Sequence, residues 1–267
     1  MDITKIKVLC SSGCSFSETR FWQDYKTWPI QLQQQLKIPN YFHEGRGAQS
    51  NNLIRMRLIY RISELLKTYK PEEILVGVMW SGPDRRGVFI NNDILETNLS
   101  GKSWLDNHNF IDNDSNTGKW APMLLSHPHS IYHEYYYKYL YDTTGSLIDT
   151  LHDILYTQQF LENCGISYFM TNAWNIFEYQ YDNWGQYTGN ILKYKNKNIG
   201  IHEILNETDL NWISNLIEWN AFLPIEGMWE YLSNLNPNRD YKINHHPSEN
   251  EHFEFTKHII IPFLHQK

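Results

Sequence analysis

Lys5-Ile6-Lys7-Val8-Leu9-Cys10-Ser11, running on into Ser12-Gly13-Cys14-Ser15-Phe16-Ser17, is the stretch on which the fold turns. Its first half is apolar and β-branched and leads into Gly, the pattern of a buried strand. Its second half is a loop of small residues that sets the hydroxyl of Ser15 at the strand's carboxyl end, where open α/β sheets bind ligands. Ser15 is therefore a candidate nucleophile, and the competing reading is an ordinary strand-to-loop turn.

Working outward, Trp28-Pro29 precedes Ile30, Leu32 and Leu36, a helix with Pro near its first turn. A short strand over 41–43 leads to Gly45-Arg46-Gly47-Ala48-Gln49-Ser50. Ser50 is the expected N-cap of a long helix carrying Leu53, Ile54, Met56, Leu58, Ile62, Leu65 and Leu66, which Pro71 stops. Ile74 to Trp80 has the continuous apolar character of a central parallel strand. A second long helix is predicted from Ser146, ending at Asn163-Cys164-Gly165, with a strand over Ile166 to Thr171 behind it. Short helices are expected over Asp209 to Trp219 and Ile225 to Leu232, and a last helix from Ser248 to about Phe263. Strands alternating with helices predict the α/β class: a three-layer α/β/α sandwich around a central parallel sheet, with right-handed crossovers. Residues 1–267 read as one domain, and the aromatic-rich stretch 87–140 breaks the rhythm as an insertion, a lid or side wall.

A chain of 267 residues can bury an ample core. A net charge of −7 without a long basic run argues against nucleic acid as a partner. The three cysteines form no CxxC pair, which fits a reducing compartment without structural disulfides. With no long apolar segment and no signal-like stretch near Met1, the expected location is cytoplasmic with no membrane partner, a phage-associated setting being the alternative. Aromatic residues make up 15%, which suits either a flat ligand such as a sugar ring or simply a ring-rich core.

Three further blocks follow Ser15 at strand ends or just before the terminal helix: Gly45-Arg46-Gly47-Ala48-Gln49-Ser50-Asn51, Gly77-Val78-Met79-Trp80-Ser81-Gly82-Pro83-Asp84-Arg85, and Asn244-His245-His246-Pro247-Ser248-Glu249-Asn250-Glu251-His252. In a parallel sheet the strand ends converge on one rim, so these distant loops can share one site.

In this order and spacing the chain resembles the SGNH (GDSL-like) hydrolases, and more narrowly their GCSF-type members of phage and bacterial genomes. The resemblance implies the flavodoxin-like fold of that superfamily and a serine esterase acting on a small acyl ester, including O-acetyl groups on a glycan. It implies that Ser15 attacks the ester carbonyl while His246 serves as general base and then general acid. Backbone N–H groups of Ser15 and Gly47 would meet the developing oxyanion. Where the family carries an Asn in its third block this chain has Ser81, the candidate substitute donor, with Asn51 as a second possibility. Where the family carries Asp before its His, this chain has Ile243 and Asn244. Asn244 can orient an imidazole but cannot balance its charge; Asp240, a backbone carbonyl or a bare Ser-His dyad are the alternatives. Those departures keep open a catalytically weakened module that binds carbohydrate or serves a structural role, and Ser-His chemistry serves an acyltransferase equally well.

Other clusters are weaker. His129 and His133 stand four apart with Glu134 beside them, and His245, His246 and His252 form another group, but no third ligand has diagnostic spacing. No metal or other cofactor is expected. Arg85 and Arg86 can grip an anion or stand as solvated loop charges. Tyr132, Tyr135, Tyr136, Tyr137, Tyr139 and Tyr141, with Trp104 and Trp120, can line a sugar-binding wall or pack the insertion onto the sheet.

Overall fold

The computed structural model describes residues 2–18, 25–91, 118–123, 135–176, 210–236 and 246–267. Strand formation starts at Val8 rather than Lys5, because Ile3–Lys5 is wound into a 3-10 turn whose Thr4 N–H is capped by the Asp2 side chain. The strands among the described residues are β1 (Val8–Ser12), β2 (Asn40–His43), β3 (Ile74–Trp80), β4 (Arg86–Asn91), β5 (Gly118–Met123) and β6 (Ser167–Asn172). Four of them form the central sheet in the order β2-β1-β3-β6, and every pairing is parallel. Phe222 adds an isolated parallel bridge at Met170, on the β6 edge.

Seven helices flank the strands in the described residues: α1 (Trp28–Gln35), α2 (Asn51–Leu65), α3 (Thr143–Asn163), α4 (Asn211–Ser214), α5 (Met228–Leu235), α6 (Glu249–Phe255) and α7 (Ile261–Gln266). A π-helical turn, Thr256–Ile260, joins the last two. The period of two along each strand sorts the core into two layers. Val8, Cys10, Val76, Val78 and Trp80 pack on one side against Ile54 and Leu58 of α2 and Leu151 and Ile154 of α3. Leu9, Leu75, Met79 and Phe169 pack on the other against Trp28 and Leu32 of α1, Met228 of α5 and the C-terminal helix residues Phe255 and Leu264. The result is the three-layer α/β/α sandwich, its two cores each removing large apolar side chains from water at roughly 1.5–3 kcal/mol apiece.

β3 is fully buried along its length, as its unbroken apolar run demands. Gly77 interrupts it where Trp28 and Phe169 meet edge to face; a Cβ there would lie 2.7 Å from Phe169 Cζ and 2.9 Å from Trp28 Cη2.

Some boundaries differ from expectation for local reasons. α3 starts at Thr143, not Ser146, because the Asp142 side chain accepts the Gly145 N–H, and it ends where Gly165 takes φ 70°. The helix expected over 209–219 contracts to Asn211–Ser214, followed by a 3-10 turn over Trp219–Ala221 that Glu218 caps through Asn220 N–H. The helix expected over Ile225 to Leu232 runs instead over Met228–Leu235.

Within the stretch 87–140, β4 and β5 form a two-stranded antiparallel sheet. Asn52 fastens it to α2, accepting the Gly87 N–H at 3.0 Å and donating to the Gly87 carbonyl at 2.9 Å. Trp120 packs on Phe89 with ring centroids 5.6 Å apart. Tyr136, Tyr137 and Tyr141 are half-buried, whereas Tyr135 and Tyr139 face solvent, so the tyrosine run is divided between packing and surface. Tyr132 and Trp104 lie outside the described residues. No helix among the described residues is long and apolar enough to cross a membrane.

Candidate functional site

The loop after β1 folds back through two consecutive turns, Ser17 N–H to Cys14 O at 2.9 Å and Glu18 N–H to Ser15 O at 3.3 Å. From Ser11 to Glu18 every residue is buried except Ser15, which reaches solvent. Gly13 sits beneath this loop, where a Cβ would collide with the Ser17 side chain and approach Met79 Cβ to 3.1 Å. Ser17 is itself pinned: Trp28 Nε1 donates to its Oγ at 2.9 Å. Cys14 is fully buried within the second core layer, which leaves it no access to a substrate. Burial pushes the Cys10 thiol, inside β1, far above its ordinary range, so it is held protonated and unreactive.

The second block lies beside the first. Glu44 N–H bonds Ser11 O at 2.8 Å and Arg46 N–H bonds Gly13 O at 3.1 Å, continuing the parallel register past the ends of the strands. Gln49, fully buried, donates from Nε2 to Gly13 O and to Glu44 O, both at 3.2 Å, tying the two loops together. Glu44 is buried as well and receives Arg61 Nε at 2.6 Å. Positive φ in this loop falls at Ala48 (61°), not at Gly47. The missing Cβ at Gly47 has another cause: its N–H donates to Glu18 Oε2 at 2.6 Å, and a Cβ would lie 2.9 Å from that same oxygen.

Asn51 does not face a substrate. Its Nδ2 donates to Ser81 O at 2.9 Å and Thr150 Oγ1 at 3.1 Å, and its Oδ1 accepts the Ser81 N–H at 2.8 Å. Both amide hydrogens are thereby used, so Asn51 is a clamp on the backbone leaving β3 rather than an oxyanion donor. The Ser81 hydroxyl is fully buried and has no hydrogen-bond partner among the described residues. Beyond it, Arg85 lies over the Trp174 ring at 4.8 Å, and Arg86 pairs with Asp149. The two arginines thus take different roles, one stacked beside the rim and one in an ion pair on α3.

His246 opens the terminal helix, followed by buried Pro247 and the N-cap Ser248, whose side chain forms a capping box with Glu251. The His246 ring is half-exposed and meets Phe16 edge to face, with centroids 5.5 Å apart. Phe16 also touches Trp174 at 5.8 Å and Trp229 at 6.1 Å. The residue after Ser15 is thus the hub that brings the first block, the last block and the loop after β6 together. Trp28 links the same parts from below, since Thr256 Oγ1 in the C-terminal helix donates to Trp28 O at 3.3 Å.

Of the residues singled out in the sequence, Ser15, Gly47, Ser81 and His246 come from loops at the carboxyl rim of the sheet and the mouth of the terminal helix. Asn244, Asp240 and Ile243 lie outside the described residues, as do His129, His133, Glu134 and His245. His252 is buried on α6 with its ring 5.7 Å from Tyr25. No group of His, Cys, Asp or Glu among the described residues is arranged to hold a metal ion. Sequence reasoning passed over Glu18, although it directly follows the Gly-Cys-Ser-Phe-Ser run, and over His43, whose Nδ1 lies 3.1 Å from Ser11 Oγ at the end of β2. Comparison with protein-family models and with curated proteins finds no match for this chain.

Proposed function

We propose that this protein is a serine esterase of the SGNH type that cleaves a small acyl ester, with Ser15 as nucleophile and His246 as its general base. One observation carries the reading: Ser15 alone reaches solvent from an otherwise buried loop at the carboxyl end of β1, and its neighbour Phe16 is in ring contact with His246. In the reaction Ser15 Oγ attacks the carbonyl as His246 takes its proton, and the proton then passes to the departing alcohol. The N–H groups of Ser15 and Gly47 and the buried hydroxyl of Ser81 are the candidate oxyanion donors, each worth a few kcal/mol in the transition state. Asn244 is the candidate for orienting His246. The rings of Trp174 and Trp229 beside Phe16 suit an ester borne on a sugar, whose apolar face stacks on aromatic surfaces. Three cysteines without a CxxC pair fit a reducing, cytoplasmic setting.

The experiment is covalent labelling by a fluorophosphonate. Native protein becomes labelled at Ser15, Ser15→Ala does not, and His246→Ala labels at least about a hundredfold more slowly, within the usual range for removing a general base. Native protein that stays unlabelled while folded overturns the reading. In that case the second reading, a carbohydrate-binding module without catalysis, takes its place; Ile243 and Asn244, standing where the family has Asp, favour it. Direct binding of acetylated and deacetylated oligosaccharides would then be the measurement. Transfer to an added alcohol, compared with transfer to water, separates an acyltransferase from a hydrolase.

A further inference from the structure

We propose that Glu18 is a built-in competitor for the oxyanion position, closing the site at rest by occupying the N–H of Gly47. The proposal rests on the serine-esterase reading and concerns the regulation of that same site.

The contact is short and specific. Glu18 Oε2 lies 2.6 Å from Gly47 N, within the range of a charge-assisted hydrogen bond. The residue is 3% exposed, so its charge is largely removed from water and depends on the donors around it. Gly47 is shaped for this approach, because any side chain would place its Cβ 2.9 Å from the carboxylate oxygen. Glu18 also belongs to the nucleophile's own turn, its N–H bonding Ser15 O at 3.3 Å.

A tetrahedral intermediate on Ser15 carries one negative oxygen, and the N–H of Gly47 is the donor assigned to it. Two anionic oxygens cannot share one N–H at hydrogen-bond distance without strong repulsion in a site withdrawn from water. Glu18 must therefore release Gly47 before the donor can act, and the energy of that bond is added to the barrier for acylation. A substrate that offers the carboxylate hydroxyl or cationic donors opens the site, and one that offers none meets it closed.

The test compares fluorophosphonate labelling of the full chain in native, Glu18→Ala and Glu18→Gln forms, with Ser15→Ala as blank. It also records the Gly47 amide proton by NMR. In labelling, the Ser15 Oγ–P bond forms as fluoride leaves and the hydroxyl proton passes to His246. Release of a charge-assisted bond is expected to speed labelling about 10- to 100-fold in Glu18→Ala and by less in Glu18→Gln. The Gly47 amide proton is expected to shift upfield in both variants. Glu18→Gln keeps the shape of the side chain and decides the matter if Glu18→Ala fails to fold. Labelling at the native rate, or more slowly, in folded Glu18→Gln overturns the proposal and leaves the esterase reading standing. Absence of labelling at Ser15 in every form overturns both.

Discussion

Asn51 and Ser81 exchange a pair of hydrogen bonds, side chain to backbone: Oδ1 accepts the Ser81 N–H at 2.8 Å while Nδ2 donates to the Ser81 carbonyl at 2.9 Å. An amide side chain on α2 thus acts as a strand neighbour, satisfying both polar groups of a residue that has just left the sheet. Its neighbour Asn52 does the same for Gly87. The two consecutive asparagines hold both ends of the segment between β3 and β4, and with it the rim on which Ser81 and Arg85 stand.

Replacing Asn51 by Ala strands the buried N–H and carbonyl of Ser81 without partners. At roughly 1–3 kcal/mol for each unsatisfied buried group, the loss of stability is expected to be about 2–6 kcal/mol. Thr150→Val removes only the 3.1 Å bond and is expected to cost about 1 kcal/mol. Urea denaturation of the two variants checks the ranking, and equal midpoints would show the clamp to be incidental.

Ala48 holds φ at 61°, the left-handed region that costs an L-residue about 1–2 kcal/mol. Ala48→Gly relieves this but gains freedom in the unfolded chain, leaving a net stabilisation of about 0.5–1 kcal/mol. A raised thermal midpoint is the expected result, although most surface glycine substitutions lower it.

Gly77→Ala tests the second core layer. A methyl group placed 2.7 Å from Phe169 Cζ and 2.9 Å from Trp28 Cη2 must push apart two rings packed edge to face in the middle of the sheet. Overpacking of this kind costs about 1–3 kcal/mol. Because Trp28 also holds Ser17, the same variant is expected to slow labelling at Ser15, a second readout that a purely local strain would not change.

Burial pushes the Asp153 carboxyl up to about 6, although Arg55 Nε lies 2.7 Å away and favours the charged form. The folded state then holds this proton more tightly than the unfolded chain, whose carboxyl titrates near about 3.9. The resulting stabilisation is present in full below about pH 4 and is lost as the pH rises through 6, a change of up to roughly 3 kcal/mol. Asp153→Asn carries no titrating group, so its stability relative to native protein should rise between pH 4 and pH 7.5. Denaturant titrations at the two pH values measure the difference, and a constant difference would place the native pKa at its ordinary value.

Patterns that depend on one segment's own composition were legible from the chain. Ile74–Trp80 is a strand from end to end as expected, since a run buried on both faces has no polar residue to blur its limits. The first strand starts later than its composition suggests because Asp2, two residues from Thr4, winds Ile3–Lys5 into a turn, although Lys5 reads like a strand residue. That the loops after β1, β2 and β3 meet at one end of the sheet was also readable, because parallel topology brings those strand ends together. What each block's atoms do was not. The Gly47 N–H faces Glu18 across 29 residues of sequence and the Asn51 amide faces Ser81 across 30, and neither partner can be chosen without the packing that brings them side by side. Composition names the donors; only the fold says which acceptor reaches them first.

Trp28 bonds the serine loop through its indole N–H and the C-terminal helix through its carbonyl, the latter across 228 residues. Ribosomal synthesis delivers those two partners far apart in time. The loop and its tryptophan emerge first and can be sheltered by β1 and β3 once Trp80 has left the exit tunnel, while His246 and Thr256 are still to be made. On the proposed reading, the serine loop is therefore formed well before the residue assigned to activate it, and reactivity at Ser15 waits on the docking of α6 and α7.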